Sequence, residues 1–186
     1  PIEDVQFSPA WQIDKSELIF AESALFEAYG MDKTCYVHQE SGNPTWGVIL
    51  IGLDPNRVEV YNEISIWNTP QKAAVVYPNF TSSAYAEPGF YTYYRGECDD
   101  CITTKLVPST LTYNTSGIGH QALTLLGYTP LNDIEIDKNP DILKQFDKII
   151  MLHNEYVTRT MFDAITNHPN VIYLYPNALY AEIEVD

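Results

Sequence analysis

Basic residues are scarce in this chain. Ten Lys and Arg stand against 25 Asp and Glu over 186 residues, a formal net charge of −15. Acidity of that size repels phosphate backbones and anionic headgroups, so nucleic acid and membrane surfaces are excluded as expected partners. Long hydrophobic runs are missing as well. The longest, Val48 to Leu53, is the length of a strand, and no segment is apolar for long enough to insert into a bilayer. There is no Gly-x-Gly-x-x-Gly and no Walker loop, so no nucleotide cofactor is expected; no Gly-x-Ser-x-Gly marks a serine nucleophile. Asp133, Asp137 and Asp141 lack the spacing and glycine of a calcium loop.

Cysteine is sparse: Cys35, Cys98 and Cys101. Cys98-Asp-Asp-Cys101 has no second ligand pair to complete a zinc site. Two carboxylates between the thiols disfavour thiolate, which argues against fast redox exchange. A structural role is expected, as a local disulfide, as free thiols, or as a bridge between Cys35 and one of the pair. Two glycosylation sequons begin at Asn79 and Asn114 and matter only in an exported protein. Together with the cysteines they point to an extracytoplasmic or cell-surface glycoprotein. The chain opens at Pro1 and not at Met, which reads as a processed or excised piece of something longer.

What is present is enough apolar residue for one core: 45% of the chain is hydrophobic, with 14 Tyr and 12 Pro. Apolar spacing from Ser16 to Tyr29 reads as a helix, with Ser16 as its N-cap and Gly30 just past its end. Thr34–Gln39, Trp46–Leu53 and Arg57–Trp67 read as an antiparallel β-layer punctuated by Gly42-Asn-Pro44 and Asp54-Pro-Asn56. From Thr69-Pro70 the pattern changes. Ala73–Tyr77 reads as a buried strand, followed by a long loop to about Thr110. Next come a helix over 117–127, a strand over 131–136, a helix or turn from Pro140 to Phe146 and a strand over 149–152. A helix over 159–167 and a strand over 171–175 complete the alternation. Such alternation implies βαβ units and a mostly parallel sheet. The expected organisation is therefore a small β-rich segment over 1–69 and an α/β domain over 70–186.

The most informative stretch is 147–158. A continuous apolar run, Ile149 to Leu152, is followed at once by His153, Asn154, Glu155 and Tyr156, with Thr158 as the N-cap of the next helix. Ligands of open α/β sheets bind beyond the carboxyl ends of the strands, so these polar residues sit where chemistry is expected. Two further strand ends carry Tyr85 and Asn177. Glu and Tyr oxygens suit an oxygen-preferring metal, His moves protons near neutrality, and Asn donates to a developing oxyanion. The competing reading makes His153 and Glu155 helix caps, Tyr85 a core aromatic and Asn177 a turn residue. His38, His120 and His168 stand alone and read as surface or capping residues.

Ala84-Tyr85 with Gly89 and Tyr91, the stretch from Asp133 to Pro140, His153-x-Glu155-Tyr156, and Asn177 resemble the catalytic-domain pattern of the N,N-dimethylformamidase large subunit. The resemblance covers roughly 70–182. It implies a flavodoxin-like, glutamine amidotransferase-like α/β/α three-layer sandwich and hydrolysis of a small amide at one mononuclear iron. Carried over, Tyr85, Tyr113 and Glu155 hold the metal, His153 handles protons and Asn177 orients substrate. The family's Tyr-Asn and paired-glycine pattern is here Tyr85-Ala-Glu-Pro-Gly89, and its Arg-Pro-Tyr near the second tyrosine is missing. Partners are then a small-molecule amide or protein subunits, further copies of the chain included. The reading from the other class is a non-catalytic secreted or surface module for ligand binding or assembly.

Overall fold

The computed structural model describes residues 16–19, 25–31, 34–37, 39, 42–107 and 116–186. The described residues begin with five strands: β1 Ser16–Ile19, β2 Phe26–Met31, β3 Cys35–Val37, β4 Pro44–Trp46 and β5 Ile49–Leu53. A 3-10 turn at Pro55–Arg57 leads into α1 Val58–Ile64. Then follow β6 Ala73–Tyr77, α2 Asn79–Ala84, α3 Phe90–Tyr94, α4 Gly117–Leu125, β7 Thr129–Asn132 and α5 Asp133–Lys138. After a 3-10 segment at Pro140–Gln145 come β8 Lys148–Met151, β9 Tyr156–Val157, α6 Arg159–Thr166, β10 Val171–Tyr173 and β11 Ala181–Glu182.

The centre is a four-stranded sheet, order β10-β8-β6-β7, parallel throughout. Every residue of β6 is buried, as a parallel strand covered on both faces requires. Alternation along it sorts the core into layers. Ala74 and Val76 face Ile136 of α5, Leu143, and Met161 and Ile165 of α6. Val75 faces the other way, with Ile150, Leu152 and Leu123 of α4. On Tyr77 packs a second, antiparallel sheet, order β1-β2-β5, through Leu50, Tyr29 and Met31. Gln121 of α4 closes the outer edge of β5, its amide donating to Ile49 O (2.9 Å) and accepting from Ile51 N (3.0 Å). A side-chain amide thus stands in for a further strand at that edge.

The expected cap at Thr158 is present, accepting from Met161 N at 3.1 Å. Asn132 and Glu135 form a reciprocal capping box on α5, both bonds at 2.9 Å, where a strand was expected. Other expectations fail. The helix expected over Ser16–Tyr29 is the antiparallel pair β1 and β2, with Ser16 opposite Met31; short apolar runs fit either period, and cross-strand pairing decided here. The strand expected over Arg57–Trp67 is largely α1. Asp54 accepts from Asn56 N at 2.9 Å and Pro55 opens the turn. Tyr61 then anchors the helix, stacked on Phe26 at 5.6 Å and donating to Leu25 O at 2.6 Å. The strand over 131–136 ends at Asn132 and continues as α5, and the long loop from Pro78 contains α2 and α3.

His120 of α4 meets the Tyr77 ring edge-on at 5.4 Å, and its Nε2 is buried with no hydrogen-bond partner among the described residues. Burial pulls the imidazole down to about 4 from its ordinary 6.5. Protonation therefore favours the unfolded chain: stability present above pH 6.5 is lost as pH falls through that value toward 4. Urea unfolding in that window is expected to show a loss of about 1–3 kcal/mol that His120→Phe removes.

Candidate functional site

The chain steps from β6 outward to β7 on one side and to β8 and β10 on the other. The reversal opens a crevice between β6 and β8, at the strands' carboxyl ends, the general binding position of open α/β sheets. Both strand ends deliver polar side chains there. After β6, the short helix α2 ends with Tyr85, whose N–H donates to Thr81 O at 3.0 Å. After β8, Asn154 accepts from Leu152 N at 2.9 Å and bends the chain back. His153 and Glu155 are thereby presented together. Thr81 joins the two segments: its hydroxyl oxygen accepts from Glu155 N (3.0 Å) and Tyr156 N (3.2 Å).

Three donor atoms converge. Tyr85 Oη lies 2.6 Å from Glu155 Oε2 and 3.0 Å from His153 Nε2, and those two lie 3.2 Å apart. Tyr91 Oη, from α3, is 3.2 Å from Tyr85 Oη. Both His153 and Glu155 are almost fully buried, at 3% and 5% exposure. Burial, the Glu155 carboxylate and Tyr91 push the Tyr85 phenol far up, so it keeps its proton and donates it to Glu155. Burial first, then Glu155, pushes Tyr156 up to about 12. Among the described residues Glu155 pairs with no Lys or Arg, and its single ion-pair partner is His153. The buried Glu155 carboxylate is met by one phenol and one imidazole and, among the described residues, by no cationic side chain.

The donor set fits a metal. Bonds of about 2.0–2.2 Å to N and O ligands place neighbouring donors about 3 Å apart, the size of this triangle. Tyr and Glu oxygens suit iron or another oxygen-preferring ion, and the imidazole beside them suits proton transfer.

Of the residues expected to act, Tyr85, His153 and Glu155 meet. Tyr113 lies outside the described residues, as do the helical Ser16–Tyr29 expectation's residues 20–24. Asn177 does not join the cluster: it is exposed on the turn after β10, and no hydrogen bond ties its side chain to the other three. Tyr91 was missed as a donor because its segment reads as loop. The signal was Gly89 two residues earlier, which lets α3 start hard against the end of α2. The Cys98–Cys101 disulfide (Cα–Cα 5.7 Å) follows α3, and Cys35 is free and exposed. Cys98, Asp100 and Cys101 group within 4.8 Å, but sulfurs joined in a disulfide are not thiolate ligands. Asn79 is buried and donates to Val107 O at 3.1 Å, so its sequon is closed in the folded chain.

Tyr175 covers the cluster. Its ring lies 3.9 Å from the His153 ring, tilted 31°, while the residue is 38% exposed. The turn carrying it is pinned by Leu179 N to Asn154 O (2.8 Å) and Tyr180 N to Glu155 O (2.9 Å). Diethylpyrocarbonate should therefore acylate His153 slowly, and severalfold faster in Tyr175→Ala, with His168 unchanged as the internal control in mass spectrometry.

No family model, curated protein or solved structure matches this chain.

Proposed function

We propose that this is a metal-dependent amidohydrolase-like domain acting on a small amide, on a flavodoxin-like, amidotransferase-like three-layer framework. The observation that carries the reading is the triangle of Tyr85 Oη, His153 Nε2 and Glu155 Oε2 at the strand-order reversal. The strand order supports the framework: numbered along the parallel sheet alone, it runs 2-1-3-4, as in the flavodoxin-like arrangement.

Glu155 and Tyr85 would hold the metal, and Tyr91, 3.2 Å from Tyr85 Oη, is the second phenol within reach among the described residues, which do not include Tyr113. A mononuclear iron bound there would supply Lewis-acid chemistry toward an amide carbonyl and a water. The chain's own part is proton handling. Tyr85 must give up its proton to become a ligand, and His153 Nε2, 3.0 Å away, is placed to take it. The same nitrogen lies 3.2 Å from Glu155 Oε2, so a protonated His153 stays paired. Asn177, exposed on the turn beyond Tyr175, is given no part in this chemistry.

Metal analysis tests this. Stoichiometric metal in the wild-type chain, lost in a folded Glu155→Gln variant, is the expected result. Folded, metal-free wild-type protein would favour the second reading, a non-catalytic secreted module. The disulfide, which fits an oxidising compartment, and exposed Tyr93, Tyr94 and Tyr180 are what speak for it.

A further inference from the structure

Beside the buried cluster, on chemistry that the metal proposal does not use, lies a cavity of about 460 Å³. Small-molecule sites span about 300–1,000 Å³. Four parts of the chain wall it: α3, the disulfide loop, Tyr156 of β9, and the end of β11 with the residues after it. Its apolar walls include Phe90 and Tyr156, whose rings meet edge to face at 5.3 Å, with Ile183 and the half-exposed Tyr93. Its rim is acidic, and no Lys or Arg among the described residues lines it.

The rim charges differ in their freedom. Glu182 is engaged by Arg159 at 2.6 Å, so its charge is matched from outside the cavity. Glu184 and Asp186 line the same cavity and carry no ion pair among the described residues. An apolar, aromatic wall under uncompensated carboxylates discriminates by charge as well as shape. A neutral aromatic gains only burial, and an anion meets like charge at the rim and a net charge of −15 on the approach. A cation with an apolar body gains burial, Coulomb attraction and the electron-rich face of Tyr93.

We propose that this cavity binds a small organic cation, a primary ammonium carrying an aryl or alkyl group. The apolar group packs on Phe90 and Tyr156, and the nitrogen rests at Glu184 and Asp186 beside Tyr93. The site stands whether or not the neighbouring cluster holds a metal. Tyr156 couples the two, since its ring is also 6.5 Å from the Tyr85 ring.

The test is an NMR titration of the full chain with phenethylammonium, phenethyl alcohol and phenylacetate. Expected is saturable binding of the ammonium, about tenfold tighter than the alcohol, weakening with salt, with shifts at Phe90, Tyr93, Tyr156 and Ile183. Phenylacetate should not bind. The exposed double substitution Glu184→Gln with Asp186→Asn should bring the ammonium's affinity down to that of the alcohol, and Tyr93→Ala should weaken it severalfold. Equal affinity for alcohol and ammonium, shifts spread over other acidic surfaces, or unchanged affinity in the double variant would each overturn the proposal.

Discussion

Gly89→Ala will destabilise the chain by about 3 kcal/mol or more, at the top of the range for overpacking, and will pull Tyr91 away from Tyr85. The reason is space and not torsion, because Gly89 is extended (φ −163°), a conformation open to any residue. A Cβ there would sit 2.3 Å from Ala86 O and 2.8 Å from Ala84 O. Both are backbone atoms, and neither can swing aside as a side chain does. Relief requires α3 to move, and α3 carries Tyr91. Its start is fixed from the other side too, since Gly89 N donates to Thr92 Oγ1 (3.0 Å) and Thr92 donates to Glu87 (2.7 Å). Urea unfolding measures the loss, and the aromatic NMR signals of Tyr85 and Tyr91 report the separation. Gly119→Ala is the control of opposite sign. Its Cβ would meet only Leu152 Cδ2 at 3.8 Å inside α4, so a gain of up to about 1 kcal/mol is expected from helix propensity.

Thr81→Val will cost roughly 2–6 kcal/mol, because it strips the acceptor from two amides at once and each buried, unsatisfied donor costs about 1–3 kcal/mol. The amides are those of Glu155 and Tyr156, held at 3.0 and 3.2 Å by a residue with no exposed surface. Valine matches threonine in shape, so lost packing does not confuse the result. Thr81→Ser keeps the oxygen and should recover most of the stability. The two variants also separate stability from positioning. In Thr81→Val the Glu155 segment is no longer tied to α2, so affinity for the proposed metal should fall even where the chain is still folded, and serine should restore it.

The parallel sheet and its site were legible because burial writes itself plainly there. Ala73–Tyr77 and Ile149–Leu152 are continuous apolar runs, and the polar residues after each run had to lie at a strand end. Tyr85, His153 and Glu155 could therefore be brought together from 68 to 70 residues apart. The first third was less legible. Its strands are short, and β1 and β2 carry apolar residues at spacings that suit a helix equally well. In α1, Val58, Val60 and Ile64 are β-branched residues that stand partly exposed, while a single buried tyrosine, Tyr61, fixes the helix. Asn177 was misjudged for a different reason. A residue just past a strand end was assumed to point into the crevice, but β10 is an edge strand and its following turn folds over the outside. Tyr175, two residues earlier, makes the contact instead.

The central claim is that Tyr85 and Glu155 hold a cation, with His153 beside them to take the phenol's proton. Titrating a soluble ferric chelate into metal-free protein near neutral pH, followed by visible absorption, tests it most directly. The expected result is a saturable phenolate-to-metal charge-transfer band, as the phenol that burial keeps protonated passes its hydrogen to His153. The band should be much weaker in a folded Tyr85→Phe variant and absent when Tyr91→Phe is added. A wild-type chain with no band, or a double variant that keeps it, would contradict the account.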